Sequence, residues 1–280
     1  MRLERFTGKV VVITGGARGL GRGLSEALAH AGARLVVGDI DIASANALCD
    51  ELARAACAAT ALEVDVTDAA SLERLVERAV GLHGRVDYMI NNAGIAAGGE
   101  FQDVSAATVR RVVEIDLLGA AYGTLAAYKQ MVRQRGGHIV NIASMLALFP
   151  NPMSAAYVAA KHGLGGLTQS VMAEATGHGI FLTLVCPGYI ATNLFAAGTF
   201  EGNLRPDNVV ERIPFRLIDV DTAVERTLQA VLARKTFAVF PFYARMLWWT
   251  QRLSPRLMIG LLRLMMRDQR RRFGSGPVQQ

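Results

Sequence analysis

The sequence predicts an α/β fold in which one parallel sheet of seven strands is covered by helices on both faces. Seven short runs of aliphatic and β-branched residues alternate with longer segments in which apolar residues recur at helical spacing. Most of the short runs are apolar at nearly every position, which is typical of strands that are buried on both faces. Alternation of such strands with helices favours a parallel sheet with right-handed crossovers. A chain of 280 residues suits one such domain with a large core.

The seven predicted strands are, in chain order, KVVVIT (9–14), RLVVGD (34–39), ATALEVDV (59–66), VDYMIN (86–91), GHIVNIAS (137–144), IFLTLVCP (180–187) and TFAVFP (236–241). Helical periodicity predicts helices over 19–31, 42–55, 69–82, 105–134, 155–177 and 220–234. Residues 188–215 lack a clear period and follow a strand end, where open α/β sheets bind ligands. We therefore expect residues 188–215 to form a mobile substrate loop.

Cysteine usage and charge exclude several classes of protein. Cys49, Cys57 and Cys186 form no CxxC pair, so we expect neither a disulfide framework nor a metal site, and a reducing, cytoplasmic location. No signal-peptide cleavage site precedes the first strand. Residues 243–273 hold eight arginines and the single acid Asp268, so this segment has a net charge of +7. Because the whole chain has a net charge of +6, the remaining residues sum to −1. A main body with that charge does not predict nucleic-acid binding.

A glycine-rich turn, TGGARGLG (14–21), joins the first strand to the first helix. Glycines allow a tight turn there and let backbone N–H groups approach a pyrophosphate at the helix N-terminus. The spacing is GxxxGxG rather than GxGxxG, and its position between strand and helix indicates nucleotide binding. The predicted cofactor contacts in this turn are Gly15, Arg18, Gly19, Leu20 and Gly21.

Acidic and amide residues at the ends of the next strands extend the predicted cofactor site. Asp39 ends the second strand, where a carboxylate accepts both adenosine ribose hydroxyls and repels a 2′-phosphate, so NAD is favoured over NADP. Arg18 favours NADP instead, because a guanidinium can hold a 2′-phosphate. The alternative for Asp39 is that it serves as a helix N-cap. Asp65, with Val66 beside it, is predicted at the adenine, or else Asp65 is a solvated strand end. NNAG (91–94) contributes the remaining predicted contacts, Asn92, Ala93 and Gly94.

The stretch SAAYVAAKHG (154–163) places a phenol and an ammonium on one helix face, because Tyr157 and Lys161 are one turn apart. Taken alone, the pair could be a half-buried tyrosine beside a surface lysine. With TGGARGLG, NNAG and YVAAK in this order, however, the sequence resembles the short-chain dehydrogenase/reductase family from about residue 7 to residue 240. The resemblance implies a single Rossmann-type domain with a doubly wound sheet over 1–241, a nicotinamide cofactor, and oxidoreductase chemistry on an alcohol or carbonyl. It also implies homodimers or homotetramers.

The resemblance assigns roles to individual residues. Tyr157 and Lys161 match the catalytic tyrosine and lysine, and Ser144 matches the catalytic serine. PGYIATN matches the segment that holds the nicotinamide carboxamide, with Pro187, Gly188, Ile190 and Thr192 in the corresponding places. Chemistry supplies the reason, because a free phenol has a pKa of about 10 and a nearby ammonium stabilises the phenolate that acts as base. Ser144 would hydrogen-bond the substrate oxygen, and Lys161 would also bind the nicotinamide ribose.

Two features depart from the family pattern. Asp116 stands where the family usually has an asparagine that relays protons to the lysine; it is predicted to take part in catalysis, or else the role rests on backbone and the change matters little. The second departure is the segment 242–273, predicted as a basic, amphipathic helical extension and followed by an unstructured tail at 274–280. Arg256, Gly260, Arg263, Arg267 and Arg270 form one polar stripe among Leu257, Met258, Ile259, Leu261, Leu262, Leu264, Met265 and Met266.

The extension has three alternative interpretations. Its arginine stripe, broad apolar face and Trp248–Trp249 favour an interfacial membrane helix over 245–273, although the apolar run is too short to span a bilayer. The alternatives are a subunit interface or a lid on the substrate cleft, and a disordered tail.

Apolar residues around the expected cleft predict a hydrophobic secondary alcohol or ketone, such as a steroid, a retinoid or a lipid alcohol. These residues are Met145, Leu146, Leu148, Phe149, Met153, Phe195 and Phe200, of which some are expected to be ordinary core. Two other functions remain open: an epimerase or dehydratase with tightly held NAD on the same scaffold, and a non-catalytic NAD sensor that acts through the basic tail.

Overall fold

A seven-stranded parallel sheet forms the centre of the chain in the computed structural model, which describes residues 3–273. The strands of this sheet are β1 (Val10–Thr14), β2 (Arg34–Asp39), β3 (Ala59–Glu63), β4 (Tyr88–Asn91), β6 (Gly137–Ile142), β7 (Ile180–Pro187) and β9 (Phe237–Phe240). Their order is β3-β2-β1-β4-β6-β7-β9, and every neighbouring pair is parallel. The seven predicted strands are confirmed. The order reverses between β1 and β4, which opens a crevice at their carboxyl ends.

Helices cover both faces of the sheet, as predicted. The bounds are α1 (Gly19–His30), α2 (Ile42–Arg54), α3 (Ala69–His83), α4 (Ala106–Val113), α5 (Ala120–Arg133), α6 (Ala155–Glu174) and α7 (Val220–Leu232). The apolar sides of α1, α2 and α7 share one buried cluster with the sheet, and those of α3, α5 and α6 share the cluster on the opposite face. The apolar positions at helical spacing therefore build two core layers around the strands.

Two parts of the chain differ from the sequence prediction. The helix predicted over 105–134 is interrupted by a π-helical segment, Glu114–Gly119, in which the side chain of Asp116 forms a buried ion pair with Lys161. A small two-stranded parallel sheet, β5 (Ala97–Gly98) and β8 (Thr199–Phe200), joins the loop after β4 to the segment after β7. Residues 188–215 otherwise hold one short 3₁₀ helix, Val210–Arg212.

The C-terminal extension is a pair of helices, α8 (Phe242–Leu253) and α9 (Pro255–Phe273), that turn at Ser254 and pack on each other. The Ser254 side-chain oxygen accepts from the backbone N–H of Leu257, at 3.3 Å, at the start of α9. The predicted unstructured tail, 274–280, lies outside the described residues. Among the helices of the described chain, each is either too short or too polar to cross a bilayer.

Candidate active site

The glycine turn after β1 packs tightly against the loop that follows β4. Gly15 has a φ of +61°, and a Cβ there would stand 2.8 Å from Ala93 Cα. A Cβ on Gly21 would overlap the Gly15 carbonyl oxygen and stand 2.5 Å from the Asn92 side-chain nitrogen. Both contacts are with backbone or a fixed amide, so only glycine allows the turn to close here.

Hydrogen bonds from Asn92 and Thr14 hold the two loops together. Asn92 Nδ2 donates to the carbonyls of Thr14 and Gly15, at 3.1 and 2.8 Å. Thr14 Oγ1 accepts from the backbone N–H groups of Asn92 and Ala93, at 3.1 and 3.2 Å. Sequence reasoning gave Asn92 and Ala93 a direct cofactor role and missed Thr14. The feature of the sequence that could have indicated this role is the position of Thr14 as the last residue of β1, directly before the glycines.

The N-terminus of α1 is open to an anion. Arg18 occupies the N-cap without a side-chain capping hydrogen bond, and the first turn has no acidic residue. Gly19 has a φ of +51°, and a Cβ there would meet only Thr192, at 3.4 Å. The N–H groups of a first turn have no partner within the helix and favour negative charge. This end of α1 therefore fits a cofactor pyrophosphate between the glycine turn and Thr192.

Asp39 lies at the edge of this crevice. Its two carboxylate oxygens accept from the N–H groups of Ala17 and Asp41, each at 3.0 Å. The alternative that Asp39 is the helix N-cap is wrong, because Asp41 caps α2 by accepting from the Ser44 N–H. Arg18 forms an ion pair with that same Asp41.

Asp65 is exposed and accepts from the Thr67 N–H and hydroxyl, at 2.9 and 2.8 Å. These bonds shape the turn after β3, and they leave the predicted adenine contact untested. Val66 packs toward the π-helical segment, where a Cβ on Gly119 would stand 2.9 Å from the Val66 Cβ.

Tyr157, Lys161, Ser144 and Asp116 come together where the loop after β6 and the π-helical segment pack against α6. Lys161 Nζ is 5.3 Å from the centre of the Tyr157 ring and 3.2 Å from Asp116 Oδ2. Lys161 is only 4% exposed and Asp116 is fully buried. The alternative that Tyr157 lies beside a surface lysine is therefore wrong. The second oxygen of Asp116 accepts from the Ile95 N–H at 2.8 Å. The Asp116 carboxylate therefore fixes the lysine and the loop after β4 together.

The electrostatic environment favours a charged lysine and a phenol that burial keeps neutral. Burial raises the pKa of Tyr157; the Lys161 ammonium lowers it, Asp116 raises it, and a hydrogen bond with Ser144 lowers it. Burial alone would lower the pKa of Lys161, but the neighbouring Asp116 carboxylate raises it above its ordinary value, while burial also raises the pKa of Asp116 itself. Lys161 therefore remains an ammonium whose charge opposes the cost of forming a buried phenolate.

The segment after β7 is held by the first turn of α8. A Cβ on Gly188 would collide with the Tyr243 hydroxyl, and that hydroxyl accepts from the Tyr189 N–H at 3.3 Å. Pro187 is the last residue of β7, and Ile190 pairs with Ile218. Sequence reasoning missed Tyr189 and Tyr243, because nothing local shows that residue 243 returns to this loop.

The α8–α9 hairpin, defined as residues 242–273, lies over the predicted substrate residues. Met145, Leu146 and Phe149 are buried in one cluster with Ala244 of α8 and Met258 of α9, and Tyr157 packs on the edge of this cluster. The inner side of the hairpin thus packs on these three predicted substrate residues, and the lid interpretation of the extension stays a prediction. The other predicted residues, Met153, Phe195, Leu148 and Phe200, are half-buried nearby.

The family is shown by comparison with known proteins. Residues 9–199 match the short chain dehydrogenase family. The chain belongs to this family. A probable oxidoreductase, EphD, of Mycobacterium tuberculosis is 32% identical over 92% of the chain, and the chain spans 45% of that relative's length. A mitochondrial borneol dehydrogenase of Lavandula x intermedia is 34% identical, over 68% of the chain and 72% of its own length.

A solved family member from Burkholderia phymatum, in complex with NAD, superimposes with a TM-score of 0.83 at 25% identity, over 90% of this chain and 95% of its own. The residues of this chain fit such a cofactor, because the open end of α1 and the carboxylate of Asp39 lie along one crevice. Within residues 3–273, no three His, Cys, Asp or Glu side chains are grouped to hold a metal ion.

Proposed function

We propose that the protein is an NAD-dependent dehydrogenase of apolar secondary alcohols that also reduces the corresponding ketones. The observation that carries this proposal is the buried Tyr157–Lys161 pair, beside Ser144, beneath an apolar lid. Bound NAD⁺ supplies the hydride acceptor. The rest of the chemistry is proton transfer and positioning by side chains of this chain.

Tyr157 takes the hydroxyl proton of the alcohol, and Ser144 donates a hydrogen bond to the substrate oxygen. Lys161 favours the phenolate through its charge, and Asp116 keeps Lys161 charged. Because the pKa of Tyr157 is raised, the phenolate fraction grows as pH rises. Oxidation should therefore accelerate toward alkaline pH, whereas ketone reduction, which needs the phenol, should be favoured at lower pH.

Two carboxylates support NAD rather than NADP. Asp39 sits at the predicted ribose position, held by two backbone N–H groups. The guanidinium of Arg18, which would have to hold a 2′-phosphate, already pairs with Asp41 and donates to the Ser44 hydroxyl at 3.1 Å. A 2′-phosphate at this position would be repelled by the carboxylate of Asp39, and the charge of Arg18 is already offset by the carboxylate of Asp41.

The apolar cluster beside Tyr157 supports an apolar substrate. Its buried members include Met145, Leu146, Phe149 and Met258, and none of them carries a charge that could bind a carboxylate. Borneol, for which one relative is named, is a bulky secondary alcohol of this chemical class.

The test is NADH formation from NAD⁺ with a panel of apolar secondary alcohols, compared with small hydroxy acids and sugars. Tyr157→Phe should abolish turnover, and Tyr128→Phe, which removes a phenol from α5, should not. Asp39→Ser should reduce the preference for NAD⁺ over NADP⁺. Turnover that survives in Tyr157→Phe would refute the acid–base role. Substrate conversion without net NADH would indicate the epimerase or dehydratase alternative.

A further inference from the structure

The outward side of α8 is an unbroken line of large apolar side chains. Phe242, Met246, Trp249 and Leu253 are spaced by four, three and four residues, so they lie along one side of the helix. They are 66%, 55%, 57% and 79% exposed. Ala244 and Leu247, on the opposite side of α8, already make the contacts with the body. The four outward side chains are therefore not needed for the packing of α8 on the body.

This apolar surface continues onto α9. Leu257, Leu261 and Leu264 follow the same spacing and are each about half exposed. A groove of about 510 Å³ separates the two helices where Trp249, Leu253 and Leu257 meet. We name these seven side chains the outer apolar face of the hairpin. Contiguous exposed apolar surface of this kind marks an interaction site.

Positive charge borders the outer apolar face. Arg245 and Arg252 lie beside the line on α8, and Arg256 and Arg263 are exposed on α9. Across residues 242–273 the only acidic residue is Asp268, and it pairs with Arg272. The surface thus combines tryptophan and leucine side chains with arginines that have almost no acidic counterparts on the hairpin.

We propose that the outer apolar face docks the protein on an anionic lipid bilayer. An apolar helix surface bordered by arginines fits a bilayer interface, where leucine and tryptophan enter the acyl boundary and arginines meet lipid phosphates. A second copy of the chain fits less well, because a two-fold contact would bring two arginine borders together. The proposal does not depend on the proposed function. It does imply that the lid of the substrate cleft lies against the membrane.

The test is flotation of the full chain with vesicles of equal parts phosphatidylglycerol and phosphatidylcholine, compared with phosphatidylcholine alone. We expect binding to the anionic vesicles that weakens with salt. Leu253→Glu should weaken it about tenfold or more, because it replaces a buried apolar contact with a repelled charge. Leu125→Glu, at a position of α5 where the leucine is 50% exposed, is the matched control and should bind as the parent does. Each arginine near an anionic surface contributes about fivefold, so Arg252→Gln/Arg256→Gln/Arg263→Gln together should lose about a hundredfold.

Three results would overturn the proposal. The first is no binding to anionic vesicles at low salt, and the second is equal loss in Leu253→Glu and Leu125→Glu. The third is a parent that sediments as an oligomer, does not float, and becomes a monomer in Leu253→Glu, since that result would make the face a protein interface. Melting temperatures of all variants should match the parent's, because the substituted side chains are exposed.

Discussion

The packing of α9 over the cleft predicts a large difference between two neighbouring residues. Met258 is 1% exposed and packs against Met145 and Leu146, whereas the preceding residue, Leu257, lies about 100° around the helix and is 55% exposed. Met258→Ala removes three heavy atoms from a buried site, at about 0.8 kcal/mol for each methylene-sized group. The cavity adds to this loss, for a total of about 3 kcal/mol. Leu257→Ala should cost about 0.5 kcal/mol or less.

Thermal unfolding followed by circular dichroism measures the difference. At about 2 °C or more per kcal/mol, Met258→Ala should melt about 6 °C or more below the parent, and Leu257→Ala within about 1 °C of it. Both variants place alanine in the same helix, so helix propensity cancels. Amide hydrogen exchange in α9 should rise in Met258→Ala alone. Equal melting temperatures for the two variants, or a larger loss in Leu257→Ala, would refute the packing of the lid.

Two further predictions concern the glycine turn and the end of the lid. Gly21→Ala should abolish NAD binding in a fluorescence titration, because its Cβ would overlap the Gly15 carbonyl; Gly81→Ala, where a Cβ meets nothing within 4 Å, should bind as the parent does. Arg270 Nε donates to Glu100 at 3.1 Å, and this contact lowers the pKa of Glu100. The pair therefore stabilises the packing of the end of α9 on the body above the ordinary carboxyl range, and this stabilisation is lost as pH falls through the lowered pKa of Glu100. Glu100→Gln should make proteolysis within α9 faster than in the parent at neutral pH. In the acid range, the rate of cleavage in this variant should not depend on pH. Cleavage at the same rate as in the parent would show that the Arg270–Glu100 pair does not hold α9 in place.

The strands and most helices were predictable because each leaves a local pattern. Continuous apolar runs such as Val10–Thr14 are buried at every position, as a strand covered on both faces must be. The burial of Asp116 in the π-helical segment was not predictable, because its partner Lys161 lies far along the chain on another helix. Ala97–Gly98 pairs with a strand about a hundred residues away, and two residues carry no readable period.

The candidate site was predictable where its residues are neighbours in sequence or end a strand. Tyr157 and Lys161 share a helix turn, and Asp39 ends β2. The contribution of the extension was not predictable in the same way. Both sides of α9 are rich in leucine and methionine, so periodicity alone does not tell which side meets the body. Which side of α9 is buried depends on the surface against which it packs. The contacts of Met258 and Tyr243 with the body are therefore visible only in the structure.

The opposed sides of the α8–α9 hairpin separate two traits that selection acts on. Neighbouring codons, such as those of Leu257 and Met258, specify side chains of which one is exposed to solvent and the other is buried against the body. Under the two proposals above, a change on the inner side would alter which molecules fit beneath the lid, and a change on the outer side would alter binding to a bilayer. Descendants of this chain could then acquire new substrates without changing their place in the cell, or move to a new place while keeping their chemistry.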